Sequence, residues 1–362
     1  MKKIFLILNF SFLFLCTGMF AQTLIDAELQ RIANGALVEQ LSHCPEGEIR
    51  YAAVAVQEVA TGNVIVNASL LYKSGEFVTG PNCTFSFPSP LGRAVLYLSM
   101  MPEANPYMVV NTHNGIYQDA EGITITDHNA HRGGYGEIDL LRSFTHNSDV
   151  GCLLCAEHVF KKDMKKYACQ INRSAILFGG RTAENYENQW DSRSMLGYNS
   201  PYNLLQVCCW INAVAGGRMV IRQNSGDPTE EYDKILNQEG LLCLRSAMRE
   251  HIIHGLGRPM NNSEVPVAGM TNLSPKNVEG FRTQFAGGFF PYQEDLNDIR
   301  PQYSIAVVIQ RRWQNGHTSA AAVARKIIDF IYIRSLLKNI ANENTDSKSK
   351  SDIEYVPHRA EK

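Results

Sequence analysis

Apolar residues recur at helical spacing in several long stretches of the chain. In 23–41, Leu29, Ala33 and Leu37 fall on one helix face, and 319–340 has a similar amphipathic pattern. The other stretches with helical spacing are 91–101, 137–146, 149–162, 201–215 and 230–254. The pattern predicts a chain whose middle is mainly helical.

Strand patterns lie near both ends of the sequence. Residues 51–59 and 63–68 are β-rich and separated by Thr61-Gly62, which predicts a hairpin. Glycine and proline interrupt 73–90, which we interpret as a loop, and 105–135 carries short strands at most. The later strands are expected at 265–269, 282–290 and 303–309. Strands at both ends with helices between them indicate one α+β domain whose sheet is completed late in the chain.

The two termini differ from the rest of the chain. Lys2 and Lys3 precede an apolar run over 4–16, and Ala21 stands where a signal peptidase would cut, so 1–21 reads as a secretory signal. The alternative, an uncleaved membrane anchor, needs about 20 strongly apolar residues, and this run is shorter. The polar segment 341–362 is expected to be a disordered tail, which leaves 22–340 as the folded domain.

Composition excludes several classes of protein. The chain has 362 residues, 44% hydrophobic and 19% charged, so it can bury a large core. Lys plus Arg is 34 and Asp plus Glu is 36, giving a net charge of −2, which argues against nucleic acid or anionic lipid as the main partner. Cys152 and Cys155 have redox or zinc spacing, but their apolar helical context favours core packing over a disulfide or a metal site.

Several short segments follow one another in an order that is similar to one protein family. Asp127-His128 is followed by Gly134-Tyr135-Gly136 and then by Asn-Ser-Asp-Val-Gly at 147–151. The other segments are 23–30, 55–66, 200–206, 267–269, 285–291 and 303–308. Over residues 23–335 the chain resembles the transpeptidase domain of penicillin-binding proteins, serine enzymes that cross-link peptidoglycan and are acylated by β-lactams. The resemblance implies an α+β fold with an antiparallel sheet of about five strands between helices.

The family's first motif is Ser-x-x-Lys at the start of a helix, where the lysine accepts the proton of the serine nucleophile. In this chain Pro90 stands at the serine position and Arg93 at the lysine position, while Ser89 lies one residue early. Proline has no hydroxyl group, and arginine keeps its proton at any physiological pH. The resemblance therefore extends to the helix itself, but the nucleophile and the base that the helix carries in the family are absent here.

The family's second motif, Ser-x-Asn, supplies a hydroxyl and an amide. Here the positions read Asn147-Ser148-Asp149, or Ser148-Asp149-Val150 in the neighbouring register. An ionised aspartate only accepts hydrogen bonds, so the amide donor is missing in both registers. We favour a structural role for Asp149, as the N-cap of the following helix.

The family's third motif, Lys-Thr-Gly, lies on the edge strand beside the cleft. Met270-Thr271-Asn272 stands in its place, so only the threonine remains. Methionine carries no charge, and asparagine adds a side chain where glycine would let a ligand approach. All three motifs are substituted, and losing even one member of such a unit typically costs about 10⁴ to 10⁶ in rate.

The sequence therefore predicts an exported pseudoenzyme, located in the periplasm or cell envelope, that binds a peptidoglycan peptide or a cell-wall synthesis protein. It is expected to need no cofactor and to contact a membrane only if the signal is uncleaved. One alternative is a weakly active transpeptidase or carboxypeptidase that penicillin acylates through Ser89 or Ser148. Another, less favoured, is a metal-dependent hydrolase. Its candidate ligands are His113, His128, His131 and His146, for which we favour an exposed polar loop without metal.

Overall fold

The computed structural model describes residues 25–42, 44, 48–79, 87–88, 90–101, 103–163, 165–167, 191–198, 201–217, 219–221, 230–232, 238–262, 264–293, 301–312 and 319–353. The predicted signal 1–21 lies outside this range. In chain order the strands are β1 (Ile49–Glu58), β2 (Val64–Lys73), β3 (Glu76–Thr79), β4 (Phe87–Pro88), β5 (Val109–Asn111), β6 (Ile116–Gln118), β7 (Thr124–Thr126), β8 (Glu137–Asp139), β9 (Pro201–Tyr202), β10 (Met219–Ile221), β11 (Glu230–Tyr232), β12 (Ala268–Leu273), β13 (Phe281–Phe290) and β14 (Tyr303–Arg312). The helices are α1 (Ala27–Ser42), α2 (Gly92–Met100), α3 (Leu140–Thr145), α4 (Asp149–Phe160), α5 (Ser192–Met195), α6 (Leu204–Gly216), α7 (Gln238–Ile253) and α8 (Ala320–Ile353).

The main sheet has six antiparallel strands in the order β12-β13-β14-β1-β2-β3. The late strand β14 pairs with the early strand β1, with Val54 opposite Val307, so the two ends of the domain meet at the centre of the sheet. Within this sheet, β3 is the strand that the sequence pattern does not predict. Its residues Glu-Phe-Val-Thr do not alternate between apolar and polar, and all four are exposed, so the pattern indicates a loop instead. Outside the main sheet, the short strands β8, β9 and β11 lie where the pattern predicts the first residues of helices.

Both faces of the sheet are buried against helices. Because successive side chains of a strand point to opposite faces, Ala53 and Ala55 join one core while Ala52 and Val54 join the other. The first core packs against α2, α4, α6 and α7, and the second against α1 and α8. The predicted α+β class, with an antiparallel sheet between helices, is confirmed.

The last helix is longer than its apolar pattern predicts. Its backbone continues to Ile353 and therefore overlaps the first part of 341–362. Among the described residues, no helix combines the length and the apolar character that crossing a bilayer requires.

Candidate functional site

A cleft of about 1390 Å³ opens beside strand β12, at the edge of the main sheet. Its sheet side includes Asn272, Leu273 and Arg282, and its helical side includes Arg93 and Asp149. The positions of the three family motifs therefore meet at one place, as the resemblance implies. Ser89 lies outside the described residues, and Pro90 is buried just before α2.

Arg93 is the central residue of the cleft floor, with only 4% of its surface exposed. Its Nη1 donates to Oδ1 of Asp149, forming a buried ion pair. Its Nη2 donates to the Thr271 carbonyl oxygen at 3.3 Å and to Oδ1 of Asn272 at 3.1 Å. Burial is the largest influence and acts to lower the pKa of Arg93, but the charge of Asp149, the effects of Tyr198 and Cys152 and the hydrogen bond to Asp149 together outweigh it, so the pKa is raised. Arg93 is therefore a permanent cation that ties the helical side to β12.

The N-cap prediction for Asp149 is wrong. Ser148 caps α4, accepting a hydrogen bond from the Gly151 N–H at 2.9 Å, and Asp149 is the first helical residue. The Asp149 carboxylate instead accepts from Arg93 and from the Tyr198 hydroxyl. Local sequence gave no sign of this role, because both partners come from distant elements.

Ser148 is directed into the protein rather than into the cleft. Its side chain is fully buried, and its hydroxyl donates to Oδ2 of Asp127 at 2.6 Å. Asp127 also accepts from the Val150 N–H at 3.1 Å. Among the described neighbours of Ser148, no lysine replaces the missing base, and its proton is already committed to Asp127.

Asp127 has an unusual titration. Asp127 is only 3% exposed, and this burial raises its pKa from 3.8 to about 6. The hydrogen bonds from Ser148 and Val150 act to lower the pKa, but burial outweighs them. The folded protein thus holds this proton more tightly than the unfolded chain. The stabilisation is fully present below about pH 4 and is lost as the pH rises through about 6.

We expect Asp127→Asn to flatten this pH dependence. The difference between pKa values of 3.8 and about 6 corresponds to about 3 kcal/mol in the free energy of unfolding, so the wild type should lose up to that much relative to the variant between pH 4 and 7. Urea unfolding at unit pH intervals measures this difference in the free energy of unfolding.

Asp119→Asn is the matched control. Burial acts to raise the pKa of Asp119, but hydrogen bonds led by that from Ser192 lower it overall. The wild type should therefore gain stability relative to Asp119→Asn as the pH rises. If the stability differences for Asp127→Asn and Asp119→Asn change with pH in the same direction, the raised pKa of Asp127 is wrong.

Asn147 also points its amide at the sheet. Its backbone is in the left-handed region, with φ of 56°, which asparagine tolerates better than most residues. The Nδ2 donates to the Thr271 carbonyl oxygen at 3.0 Å. Together with Arg93, Asn147 therefore satisfies the outward-facing carbonyl of the edge strand.

Thr271, the only retained member of the third motif, is bonded to His251 rather than exposed to a ligand. His251 Nδ1 lies 2.8 Å from the Thr145 carbonyl oxygen, which can only accept, so Nδ1 carries the proton. Nε2 then accepts from Thr271, whose Oγ1 lies at 2.9 Å and whose backbone N lies at 3.1 Å. Burial and the charge of Arg93 lower the pKa of His251 to about 3, so the ring is neutral.

The flanking residues of this motif are also internal. Met270 is 1% exposed and belongs to the core between the sheet and α2. Asn272 is 9% exposed, and its Oδ1 accepts from Arg93. Of the residues predicted from the motifs, Arg93, Asn147, Asp149, Thr271 and Asn272 thus form one hydrogen-bonded cluster, whereas Ser148 and Met270 face away.

Tyr198 and His251 complete this cluster and were missed by the sequence analysis. Neither has a local signal, since Tyr198 follows a one-turn helix and His251 lies in an ordinary amphipathic helix. Of the histidines in the central region, His128 and His146 both contact the ring of Tyr135, and His128 and His131 line the cleft. Among the described residues, no group of three or more His, Cys, Asp or Glu side chains is placed to hold a metal ion.

Comparison with known proteins places the fold. No protein-family model and no curated protein match the chain. Among solved structures, it is similar to the transpeptidase domain of penicillin-binding protein 3 from Burkholderia pseudomallei, with TM-score 0.64 and 17% identity over 86% of this chain and 96% of that one. It is also similar to penicillin-binding protein 3 from Mycobacterium tuberculosis in complex with aztreonam, with TM-score 0.66 and 15% identity over 86% and 78%.

A third similar structure is a peptidoglycan glycosyltransferase from Burkholderia ambifaria, with TM-score 0.59 and 17% identity over 86% of this chain and 97% of that one. The chain therefore has the fold of penicillin-binding-protein transpeptidase domains, and the resemblance stated from the sequence is confirmed at the level of the fold.

Proposed function

We propose that this protein is an exported, non-catalytic member of the transpeptidase fold that binds peptidoglycan or a cell-wall synthesis protein. The observation that carries the proposal is the closed network on the cleft floor. Arg93, Asp149, Tyr198, Asn147 and Thr271 are joined by hydrogen bonds, and the Thr271 hydroxyl donates to His251, whose pKa of about 3 makes it a poor base for a nucleophile.

The fold neighbours support the choice of ligand. They are penicillin-binding proteins and a peptidoglycan glycosyltransferase, so we expect a protein with their fold to recognise the same polymer or its machinery. Fold alone does not carry activity, since catalysis depends on the groups within the site. Binding without turnover is therefore the function that this cleft supports best.

Penicillin labelling tests the non-catalytic part of the proposal. We expect no covalent adduct when the purified protein is incubated with a fluorescent penicillin and examined by denaturing gel and intact-protein mass spectrometry, because the nucleophile–base pair is absent at Pro90 and Arg93. A transpeptidase domain with an intact Ser-x-x-Lys motif serves as the positive control. A stoichiometric adduct that disappears in Ser89→Ala would establish the alternative, a displaced nucleophile.

Co-sedimentation with insoluble peptidoglycan tests the binding part. The protein should pellet with the polymer in a saturable manner, and it should not pellet with an insoluble neutral polysaccharide such as cellulose. If it stays in the supernatant with both, the proposed ligand is wrong.

A further inference from the structure

Positive charge is concentrated around the cleft. The cations that line it are Arg50, Arg93, Arg132, Arg193, Lys276 and Arg282, whereas the lining carboxylates are Asp127 and Asp149. The whole chain carries a net charge of −2, so this excess of positive charge is a property of the cleft. Clefts lined by one sign of charge raise the local concentration of ligands of the opposite sign.

Four of these cations have no ion-pair partner among the residues that the structure describes, and Arg132 donates one hydrogen bond, to Nε2 of His131 at 3.1 Å. Arg93 is paired with Asp149, and Arg50 is paired with Glu279. For the remaining four, no carboxylate of the described chain lies at ion-pair distance. These four, which we call the rim cations, are Arg132, Arg193, Lys276 and Arg282.

Arg282 is held at a cost to the fold. Its side chain is half-buried, and its Nε is shielded from solvent without a hydrogen-bond partner. It also stands directly opposite Arg311 in the pairing of β13 with β14, and like charges at such positions repel. A partly desolvated cation beside another cation is stabilised when an anion binds near it.

The rim cations are divided between the two sides of the cleft. Lys276 and Arg282 belong to the sheet side, in the β12–β13 connection and at the start of β13. Arg132 and Arg193 belong to the helical side, in the short turn Ala130–Arg132 and in α5. Between them, the Asp149 carboxylate is neutralised by Arg93, so Asp127 is the remaining source of negative charge among the lining residues.

We propose that the cleft binds a ligand with at least two carboxylate or phosphate groups, one held by Lys276 and Arg282 and another by Arg132 and Arg193. This inference rests on the proposed function and names the chemistry by which the cleft would recognise its ligand. The walls add Thr124, Asn277 and Phe281, which suit a polar, extended molecule with some apolar surface. Recognition is by charge and shape, and no bond of the ligand is broken.

Titration calorimetry with two anionic probes and one neutral probe tests the proposal. The probes are hexaglutamate, linear inorganic hexaphosphate and hexaglutamine. We expect one or both anions to bind and hexaglutamine not to bind. Replacing either pair, Lys276→Gln with Arg282→Gln or Arg132→Gln with Arg193→Gln, should weaken binding by about tenfold or more, and the fourfold variant should abolish it.

The matched control is Arg31→Gln with Lys73→Gln, which removes the same charge from exposed positions outside the cleft. It should bind within about twofold of the wild type, because surface charges at a distance are screened by salt. Circular dichroism and thermal unfolding verify that each variant is folded. Preference for hexaglutamate or for hexaphosphate distinguishes a carboxylate from a phosphate ligand. The proposal is overturned if neither anion binds, if hexaglutamine binds equally, or if the fourfold variant binds like the control.

Co-sedimentation with peptidoglycan separates this result from the proposed function. If the fourfold variant still pellets with peptidoglycan like the wild type, the rim cations do not recognise it, and the proposed function stands without this inference. If the wild type binds hexaphosphate or hexaglutamate but does not pellet with peptidoglycan, the cleft is anion-binding and the proposed function fails.

Discussion

Replacing Arg93 with methionine is expected to lower the free energy of unfolding by about 3–5 kcal/mol, since it leaves the Asp149 carboxylate buried without its cation. The side chains of Arg93 and Asp149 are 5% and 12% exposed, so water cannot replace the lost partner. The Thr271 carbonyl and Asn272 lose hydrogen bonds as well. Urea unfolding monitored by tryptophan fluorescence measures the loss.

Two comparisons make the result specific to the pair. Arg93→Met combined with Asp149→Leu removes both charges and should recover much of the loss, because a buried ion pair replaced by apolar residues is often neutral for stability. Arg50→Met breaks the exposed pair with Glu279, whose side chains are 43% and 51% exposed, and should cost at most about 1 kcal/mol. If Arg93→Met costs no more than Arg50→Met, the network does not hold the cleft floor together.

Replacing Gly92 with alanine should also destabilise the protein strongly. A Cβ atom at Gly92 would lie 2.0 Å from both the carbonyl carbon and the carbonyl oxygen of Leu196, which is backbone and cannot rotate away. Helix α2 and the Leu196 turn would have to separate, and the same turn carries Tyr198, which donates to Asp149. We expect a loss of about 3 kcal/mol in the free energy of unfolding, at the upper end for overpacking.

Gly35→Ala is the matched control for this prediction. Gly35 lies within helix α1, where an added Cβ meets nothing within 4 Å. Alanine favours the helix and restricts the unfolded chain, so this variant should gain about 0.5–1 kcal/mol. In the same urea unfolding assay, Gly92→Ala should therefore lower the free energy of unfolding, whereas Gly35→Ala should raise it. A neutral Gly92→Ala would mean that α2 is not packed against the turn as described.

The fold could be predicted largely from local patterns. In β1 the uninterrupted apolar run indicates a strand buried on both faces, and the structure places it at the centre of the sheet. The hairpin at Thr61-Gly62 is confirmed by the pairing of β1 with β2. The exposed strand β3 could not be found in this way, because pairing with β2 and not burial holds it in place.

The candidate site was predictable only in its positions. The order and spacing of the motifs predict that Arg93, Asn147 and Thr271 lie in one cleft. In the structure, Arg93 and Asn147 both donate hydrogen bonds to the Thr271 carbonyl oxygen. The sequence gave no means to pair Arg93 with Asp149, which is 56 residues away, or Thr271 with His251. It therefore read Asp149 as a cap, which is the role that Ser148 has.

By itself, the sequence determined which chemical groups are present at the motif positions: a proline without a hydroxyl, an arginine that cannot act as a base, and a methionine without charge. Those facts depend only on covalent structure. The tertiary structure decided where each group's hydrogen bonds and charge are directed, because burial and partner distance set both. It joined Arg93 to Asp149 on the cleft floor, bonded the hydroxyls of Ser148 and Thr271 to Asp127 and His251, and placed four cations along the cleft that have no ion-pair partner among the described residues.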